Sequence, residues 1–415
     1  MVIVDSPSGA IMDLKSGYPF WAISNGLLHA FPPLRDDLRC DVAVIGGGIT
    51  GAVIADALHA AGHAVVVLER RDIAWGSTCA STALVQYEID TPMADLAARY
   101  GEDAAALAYR ACAGAVERIG ARARSLGDVG GMRMRSVYLA SKPRDVDMLA
   151  EEYRLRRRHG LPVARCDART LASRFGLRAP AALVTRCAAG IDPYRMTYRL
   201  LGLLQRRGGS VHDRTTVQRI VPRSRDLRIE TSNGASVSAK HVVLAAGYET
   251  QGWLPERVAR NRSTYAFASD PLQPAQLGAL RDCMAWETAR PYLYLRATPD
   301  GRMLVGGEDD AIDSPARRDA RVARKVARLL QRMSRLAPSL ELVPDFAWAG
   351  TFAETADGLP FFGPHPALDP RVQVAMAYGG NGITYSVIRA ELLRAGIERR
   401  AHPLARLFGF GRLAR

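Results

Sequence analysis

Residues 41–69, DVAVIGGGITGAVIADALHAAGHAVVVLE, constrain the fold more than any other stretch of the chain. Asp41 to Ile45 reads as a short buried strand, and Gly46 to Gly51 spells G-x-G-x-x-G. Small or apolar residues follow at helical spacing at Ala55, Leu58 and Gly62, and a second strand, Ala64 to Leu68, ends in Glu69. Each part has a physical role. Gly46 permits the tight turn, Gly48 lets a diphosphate approach the backbone, and Gly51 lets the helix pack on the strand. Ile49 and Thr50 open that helix, whose free N–H groups and positive end would hold the anion. Glu69, followed by Arg70, stands where a carboxylate accepts hydrogen bonds from ribose hydroxyls. The alternative is a glycine-rich turn in an ordinary α/β protein. Because strand, helix and acidic terminus all fall in register, a dinucleotide site is expected.

At 415 residues the chain can bury a large core and is expected to form two domains. The first residues show no basic segment followed by an apolar run, and there is no uncharged apolar stretch of about 18 residues, so neither a signal peptide nor stable membrane insertion is expected. The expectation is a cytoplasmic protein. Cys40, Cys79, Cys112, Cys166, Cys187 and Cys283 are scattered without a C-x-x-C pair or clustered histidines, which argues against a metal site and a disulfide framework. The formal charge of +14 invites a nucleic-acid reading. It comes mostly from arginines spread along the chain, with runs at 154–158 and 317–335. In the second run Val322, Val326, Leu329, Leu330 and Met333 recur at helical spacing, so the arginines are expected on a solvated face. No aromatics interleave with them as a stacking surface for nucleic acid would require.

Residues 1–40, with Tyr18, Phe20, Trp21 and Phe31, read as an irregular arm packed on the core. After Glu69 comes WGSTCASTALVQYEID, residues 75–90, expected to run along the cofactor. Ser77, Thr78, Ser81 and Thr82 would then donate to phosphates or to a ring; a plain hydroxyl-rich turn is the competing reading. Helices are expected over 92–126, 144–160 and 193–208, the last opening at Pro193, a favoured first-turn residue. Strands are expected at 132–140, 211–220 and 227–231, with a hairpin turn at Asn233-Gly234. HVVLAAG, ending in Ala245, Ala246 and Gly247, reads as a buried strand whose end would approach a cofactor. In RPYLYLRAT, Tyr292, Tyr294 and Arg296 share one strand face, which suits a substrate cavity or one side of an amphipathic sheet equally well. Near the end, the strand Val372 to Ala377 leads into YGGNGITYS and a helix, again the geometry of an anion-accepting helix end.

The Gly46–Glu69 fingerprint, AAG after a buried strand, ADGLP-x-x-G and the GGNGI turn occur in this order. Together they resemble the D-amino-acid oxidase, glycine oxidase and sarcosine oxidase superfamily of FAD-dependent oxidoreductases. The resemblance covers the chain from about Tyr18 onward. It implies an α/β fold: a discontinuous, doubly wound Rossmann-like FAD domain from 1–90, 190–258 and 345–415. An inserted α+β substrate domain of mixed or antiparallel sheet would come from 91–189 and 259–344. It also implies that Gly379, Gly380, Asn381, Gly382, Ile383 and Thr384 meet the flavin's pyrimidine edge, where N–H groups would stabilise negative charge. Val217 matches the position whose backbone meets the adenine.

Departures from the family pattern matter as well. Where amino-acid oxidases of the family carry carboxylate-clamping arginines, this chain has Phe352 and Gly380, which argues against a simple α-amino acid held that way. Arg296 is a candidate substitute. Where covalent-flavin members carry a histidine, this chain has Ala80, so FAD is expected to be non-covalent, with the neighbouring Cys79 the alternative tether. No lysine lies between Lys240 and Lys325, the region that supplies the oxygen-activating lysine of sarcosine-oxidase-like members, which leaves O2 or a redox partner as electron acceptor. The expected activity is oxidation of a C–N bond of an amine or amino-acid-like substrate by hydride transfer to flavin N5, giving an imine that hydrolyses. Gln86, Glu88, Tyr292, Tyr294 and Arg296 are the expected substrate contacts, Glu88 pairing with an ammonium or else lying on a surface strand. A flavin-bearing subunit without turnover and a nicotinamide-dependent dehydrogenase are the alternatives.

Overall fold

The computed structural model describes residues 4–5, 12–17, 19–312, 314–376 and 378–414. Tyr18 of the expected arm, Ala377 of the expected last strand and much of the segment read for a signal peptide lie outside the described residues. Among the described residues the strands form two nine-stranded sheets.

The first sheet is centred on Leu38–Ile45, a strand whose second half is fully buried. It pairs in parallel with Val65–Leu68 and with Ser236–Leu244, and Val65–Leu68 pairs in parallel with Ser210–His212. Buried on both faces, these strands carry continuous runs of valine, leucine and isoleucine rather than an alternation. Ser236–Leu244 is shared lengthwise. Its first half pairs antiparallel with Leu227–Thr231, and its last three residues pair in parallel with Val372–Met376. The expected strand at 211–220 is in fact two, Ser210–His212 in the parallel layer and Val217–Pro222 in the antiparallel one, with Arg214 at positive φ between them. Gly234, at φ +85°, makes the expected hairpin turn.

The helices Ile49–Ala60, Pro193–Arg206, Glu102–Leu126 and Gly382–Ile397 pack with one face of this sheet into one apolar core. The expected helix over 92–126 is broken at Gly101, φ +89°, into Met93–Tyr100 and Glu102–Leu126. Asp192 caps Pro193–Arg206 by accepting from the Arg195 N–H at 2.9 Å.

The second sheet runs Pro344–Glu354, Arg260–Ser269, Met303–Asp310, Leu293–Ala297, Cys283–Glu287, Met132–Leu139, Ala181–Gly190, Leu84–Gln86. All its pairings on this path are antiparallel except Cys283–Glu287 with Met132–Leu139. Two strands near the expected crossings between domains, Leu84–Gln86 and Pro344–Glu354, pair in this sheet.

The arginine-rich helix Val322–Leu336 covers the second sheet's outer face with Val326, Leu329 and Met333. Its polar side is not uniformly solvated, as the sequence had led us to expect. Lys325 is buried against Asp310 at 3.0 Å, and Arg332 reaches Glu287 and Glu308, because the strand ends beneath the helix carry these carboxylates. In the other basic run Arg156 is wholly buried, whereas Arg154, Arg157 and Arg158 are exposed. Among the described residues, no helix is long and apolar enough to cross a membrane.

Candidate active site

One cavity runs from the Glu69 end of the first sheet, past the glycine turn and helix starts, to a chamber against the second sheet. Gly46 adopts φ +120°, with its α-carbon so close to the Ala245 carbonyl that no side chain fits. A Cβ on Gly48 would sit 3.0 Å from Thr78 Oγ1, so only bare backbone leaves the cradle open. The helix Ile49–Ala60 starts there without a side-chain cap at Gly48. Glu69 Oε2 accepts from the Gly47 N–H at 2.7 Å and Oε1 from the Arg71 N–H at 2.8 Å, which fixes the carboxylate at the cavity wall. Ala245, Ala246, Gly247 and Val217 line the same end. Arg70 and Arg71, the cationic side chains among the described lining residues, both pair with Glu249.

The hydroxyl-rich segment lies along the middle of the cavity, where Ser77, Thr78, Ser81 and Thr82 all line it. Its backbone is held from behind by three donors. Trp348 Nε1–H donates to the Ala80 carbonyl (2.9 Å), Trp21 Nε1–H to the Ser81 carbonyl (2.8 Å), and Arg296 Nε–H to the Thr82 carbonyl (2.6 Å). At the far end Gly379, Gly380, Asn381, Gly382 and Ile383 line the wall. There the helix Gly382–Ile397 starts without a side-chain cap, because the Asn381 amide donates instead to the Glu88 carbonyl.

These residues fit FAD. Two helix N-termini open onto one cavity, and buried Ser77 Oγ and Arg70 Nε, both on its wall, have no hydrogen-bond partner among the described residues. Such orphaned donors call for a ligand with phosphate and ribose oxygens.

Four expected site residues do not line the cavity, among them Gly51, which instead packs the helix start against the Gly46 carbonyl. Arg296 shares a strand face with Tyr294, but the 81–83 loop and Ile191 close the chamber before reaching it, and its guanidinium is spent on the Thr82 and Ile191 carbonyls. It holds the loop rather than a substrate. Glu88 follows the last strand residue, Gln86, so alternation no longer aims it at the cavity; it is buried against Arg156 at 3.6 Å. Thr384, one turn into its helix, donates to the Gln86 carbonyl at 3.1 Å. Thr50 lines the cavity, with its hydroxyl already shared with Ser386 Oγ at 2.8 Å.

The chamber contains Gln86, Tyr292 and Tyr294, and also Asp90, Thr264, Trp286, Asp309, Phe352 and Glu354, none of which the sequence reading had chosen as a substrate contact. Trp286 stacks on Tyr138 (3.9 Å between centroids, 10°) and meets Tyr292 edge-on at 5.9 Å. The Tyr292 hydroxyl donates to the Asp90 carbonyl at 3.1 Å, and Tyr294 shares a hydrogen bond with Thr264 at 3.0 Å. Asp90 Oδ2 accepts from the Gly380 N–H at 2.7 Å, placing a carboxylate beside a position where a clamp arginine was looked for. Glu354 pairs with Arg262 and, at 3.6 Å, with Arg290. Only backbone hydrogen atoms of Gly380 leave Asp90 room, since a Cβ would lie 2.9 Å from its Oδ1.

Cys79 does not line the cavity. Its thiol is buried, points to the Gly76 and Trp75 carbonyls, and is pushed up to about 12 by burial, so it is no nucleophile for a flavin methyl group. Acid precipitation of the yellow protein should therefore leave the flavin absorbance in the supernatant. Colour remaining in the washed pellet would show a covalent tether.

Comparisons with known proteins agree with this geometry. Residues 41–395 match the family model described as DAO, FAD dependent oxidoreductase. The chain is 26% identical over 383 residues to the glycine oxidase of Geobacillus kaustophilus (87% of this chain, 94% of that protein). It is 27% identical over 402 residues to the gamma-glutamylputrescine oxidoreductase of Escherichia coli (92% and 89%). The crystal structure of the Geobacillus kaustophilus glycine oxidase superposes with a TM-score of 0.75 at 21% identity, covering 90% of this chain and 98% of that one. That of an L-proline dehydrogenase from P. horikoshii gives 0.76 at 17% identity (91% and 97%). The chain belongs to the DAO family of FAD-dependent oxidoreductases.

Proposed function

We propose that this flavoenzyme oxidises the C–N bond of a small amine or amino-acid-like substrate. The observation that carries the reading is the continuity of one cavity from the dinucleotide cradle to an aromatic chamber with carboxylates and, among the described residues, no guanidinium of its own. The names of the glycine oxidase and gamma-glutamylputrescine oxidoreductase relatives, both nitrogen compounds as substrates, support it. Bound FAD supplies the acceptor for a hydride from the carbon next to nitrogen, leaving an imine that water hydrolyses.

The protein's own contribution is orientation. Tyr292, Tyr294 and Trp286 are fixed by the hydrogen bonds and ring contacts above, so a substrate held among them loses little additional freedom before reaction. Burial raises both phenols above their ordinary range, which keeps them protonated at neutral pH and unsuited to base catalysis. The uncapped N–H groups at Gly382 and Ile383 point a positive helix end into the cavity, where they favour negative charge.

Anaerobic mixing with primary amines, N-methylated amino acids and glycine tests the reading. At least one should bleach the flavin's visible absorbance on a timescale of about seconds or faster. A yellow protein bleached by none of them would favour a flavin-bearing subunit without turnover.

A further inference from the structure

The chamber's three carboxylates differ in what satisfies them. Asp90 has the Gly380 N–H and Glu354 has two arginines. Asp309 has no ion-pair partner among the described residues, and its buried Oδ1 has no hydrogen-bond partner. Lys325, the nearest cation acting on it, is committed to Asp310 and the Glu308 carbonyl.

Asp309 reaches the chamber through a defect in its strand. Along Met303–Asp310, Met303 and Val305 face the helix Val322–Leu336, while Gly306 faces the chamber beneath the Tyr294 ring. Strict alternation would aim Glu308 into the chamber and Asp309 out. Between the pairs Ser263↔Asp310 and Tyr265↔Gly307 the register shifts by one residue. Gly307 at φ +136° and Glu308 at φ +57° absorb the extra residue. The exchange turns Glu308 to Arg332 and Lys325 on the helix side and delivers Asp309 to the cavity wall instead. A non-glycine residue at positive φ costs on the order of 1 kcal/mol, so the bulge persists at the expense of stability.

A carboxylate without an ion-pair partner, aromatic walls and, among the described chamber residues, no guanidinium form a site for a cation, since ammonium groups are held by carboxylates and over Trp and Tyr faces. We propose that Asp309 is the specificity residue of the chamber and anchors the second, non-reacting ammonium of an α,ω-diamine or similar polyamine. This rests on the amine-oxidation reading above. Burial, and then the charges of Glu354 and Asp90, push Asp309 up to about 6 against the opposing Thr264 hydrogen bond, which leaves it ionised at neutral pH.

The test uses the FAD-loaded protein without oxygen. It measures the concentration giving a half-maximal change in the visible bands, whether a shift on binding or bleaching on reduction. The probes are the diamines from 1,3-diaminopropane to 1,6-diaminohexane, each beside the n-alkylamine of equal chain length, and glycine. At least one diamine should act at a concentration about 10-fold or more below its monoamine and below glycine. Asp309→Asn, with Asp309→Ser as the second variant, should erase that ratio. Equal potency of diamine and monoamine in the wild-type protein overturns the proposal whatever the variants do, and so does a preference that survives either substitution. A diamine-selective shift without bleaching would uphold the Asp309 site and sink the oxidation reading. Bleaching by glycine without diamine preference would do the reverse.

Discussion

Gly51→Val should purify as a folded but nearly colourless protein, with FAD affinity reduced by about 10²-fold or more. A side chain at Gly51 would be driven into the Gly46 carbonyl, with the carbonyl carbon at 3.0 Å and Val44 Cγ1 at 3.4 Å behind it. The turn cannot retreat, because Gly46 is itself wedged against the Ala245 carbonyl on the neighbouring strand. The helix Ile49–Ala60 must therefore move away, and its first N–H groups leave the positions where they converge on the diphosphate. Displacements near 1 Å in such arrangements cost about 10²-fold, and overpacking adds about 1–3 kcal/mol. The measurement is flavin absorbance per protein after purification, followed by a fluorescence titration with FAD. Gly396→Ala is the control, since a Cβ there meets nothing within 4 Å. Full FAD retention by Gly51→Val would refute this account of the cradle.

Arg156→Met should lower stability by about 3–5 kcal/mol, because it strips the counter-charge from two buried carboxylates. Arg156 Nη2 lies 2.7 Å from Glu152 Oε2 and Nη1 lies 3.6 Å from Glu88 Oε1, and all three side chains are at most 1% exposed. The rings of Tyr109, Tyr87 and Tyr138 surround the guanidinium at 5.3, 5.7 and 5.9 Å. Methionine would fill much of this volume but restore no charge. Burial already raises the Glu88 carboxyl even with Arg156 in place. In the variant the Glu88 carboxyl would be raised further in the folded state. A raised folded value means the folded chain binds more protons than the unfolded one, so the variant gains stability as pH falls. Thermal unfolding should therefore show a deficit that narrows from pH 7 toward pH 5. The triple change Glu88→Gln, Glu152→Gln, Arg156→Met should recover part of it. A deficit that is small, or that widens on acidification, would mean the cluster is not the ion-paired unit described here.

The cofactor cradle was legible because its demands are local. Turn glycines, a helix start and a carboxylate at a strand tip lie within one short segment, and steric necessity leaves few residue types at each place. The substrate side was legible only as far as strand periodicity holds. Tyr292 and Tyr294 were found by alternation, and Arg296 was misassigned by the same rule, because alternation gives a face but not where along the strand a loop closes the chamber. Glu88 was misassigned because the strand ends at Gln86. Asp309 escaped because a bulge inverts the rule just there; the adjacent Gly306-Gly307 pair was the available signal. Arg156 was not singled out within the run at 154–158, because its partners come from Glu88, distant in sequence, as well as from Glu152 one turn away.

The long strand Ser236–Leu244 has a temporal consequence. Its last residues are bordered by Leu38–Ile45 on one side and by Val372–Met376 on the other, and the helix end that completes the cavity follows only at Gly382. During synthesis at roughly 5–20 residues per second, the glycine turn therefore waits tens of seconds for its opposite wall. The edge at Val242–Leu244 stays unpaired for the shorter interval until Val372–Met376 emerges. The FAD cavity is accordingly complete only after Gly382 has emerged, so FAD is not a nucleus for early folding. The interval in which that apolar strand edge lies bare is when a nascent chain of this kind has most need of a chaperone.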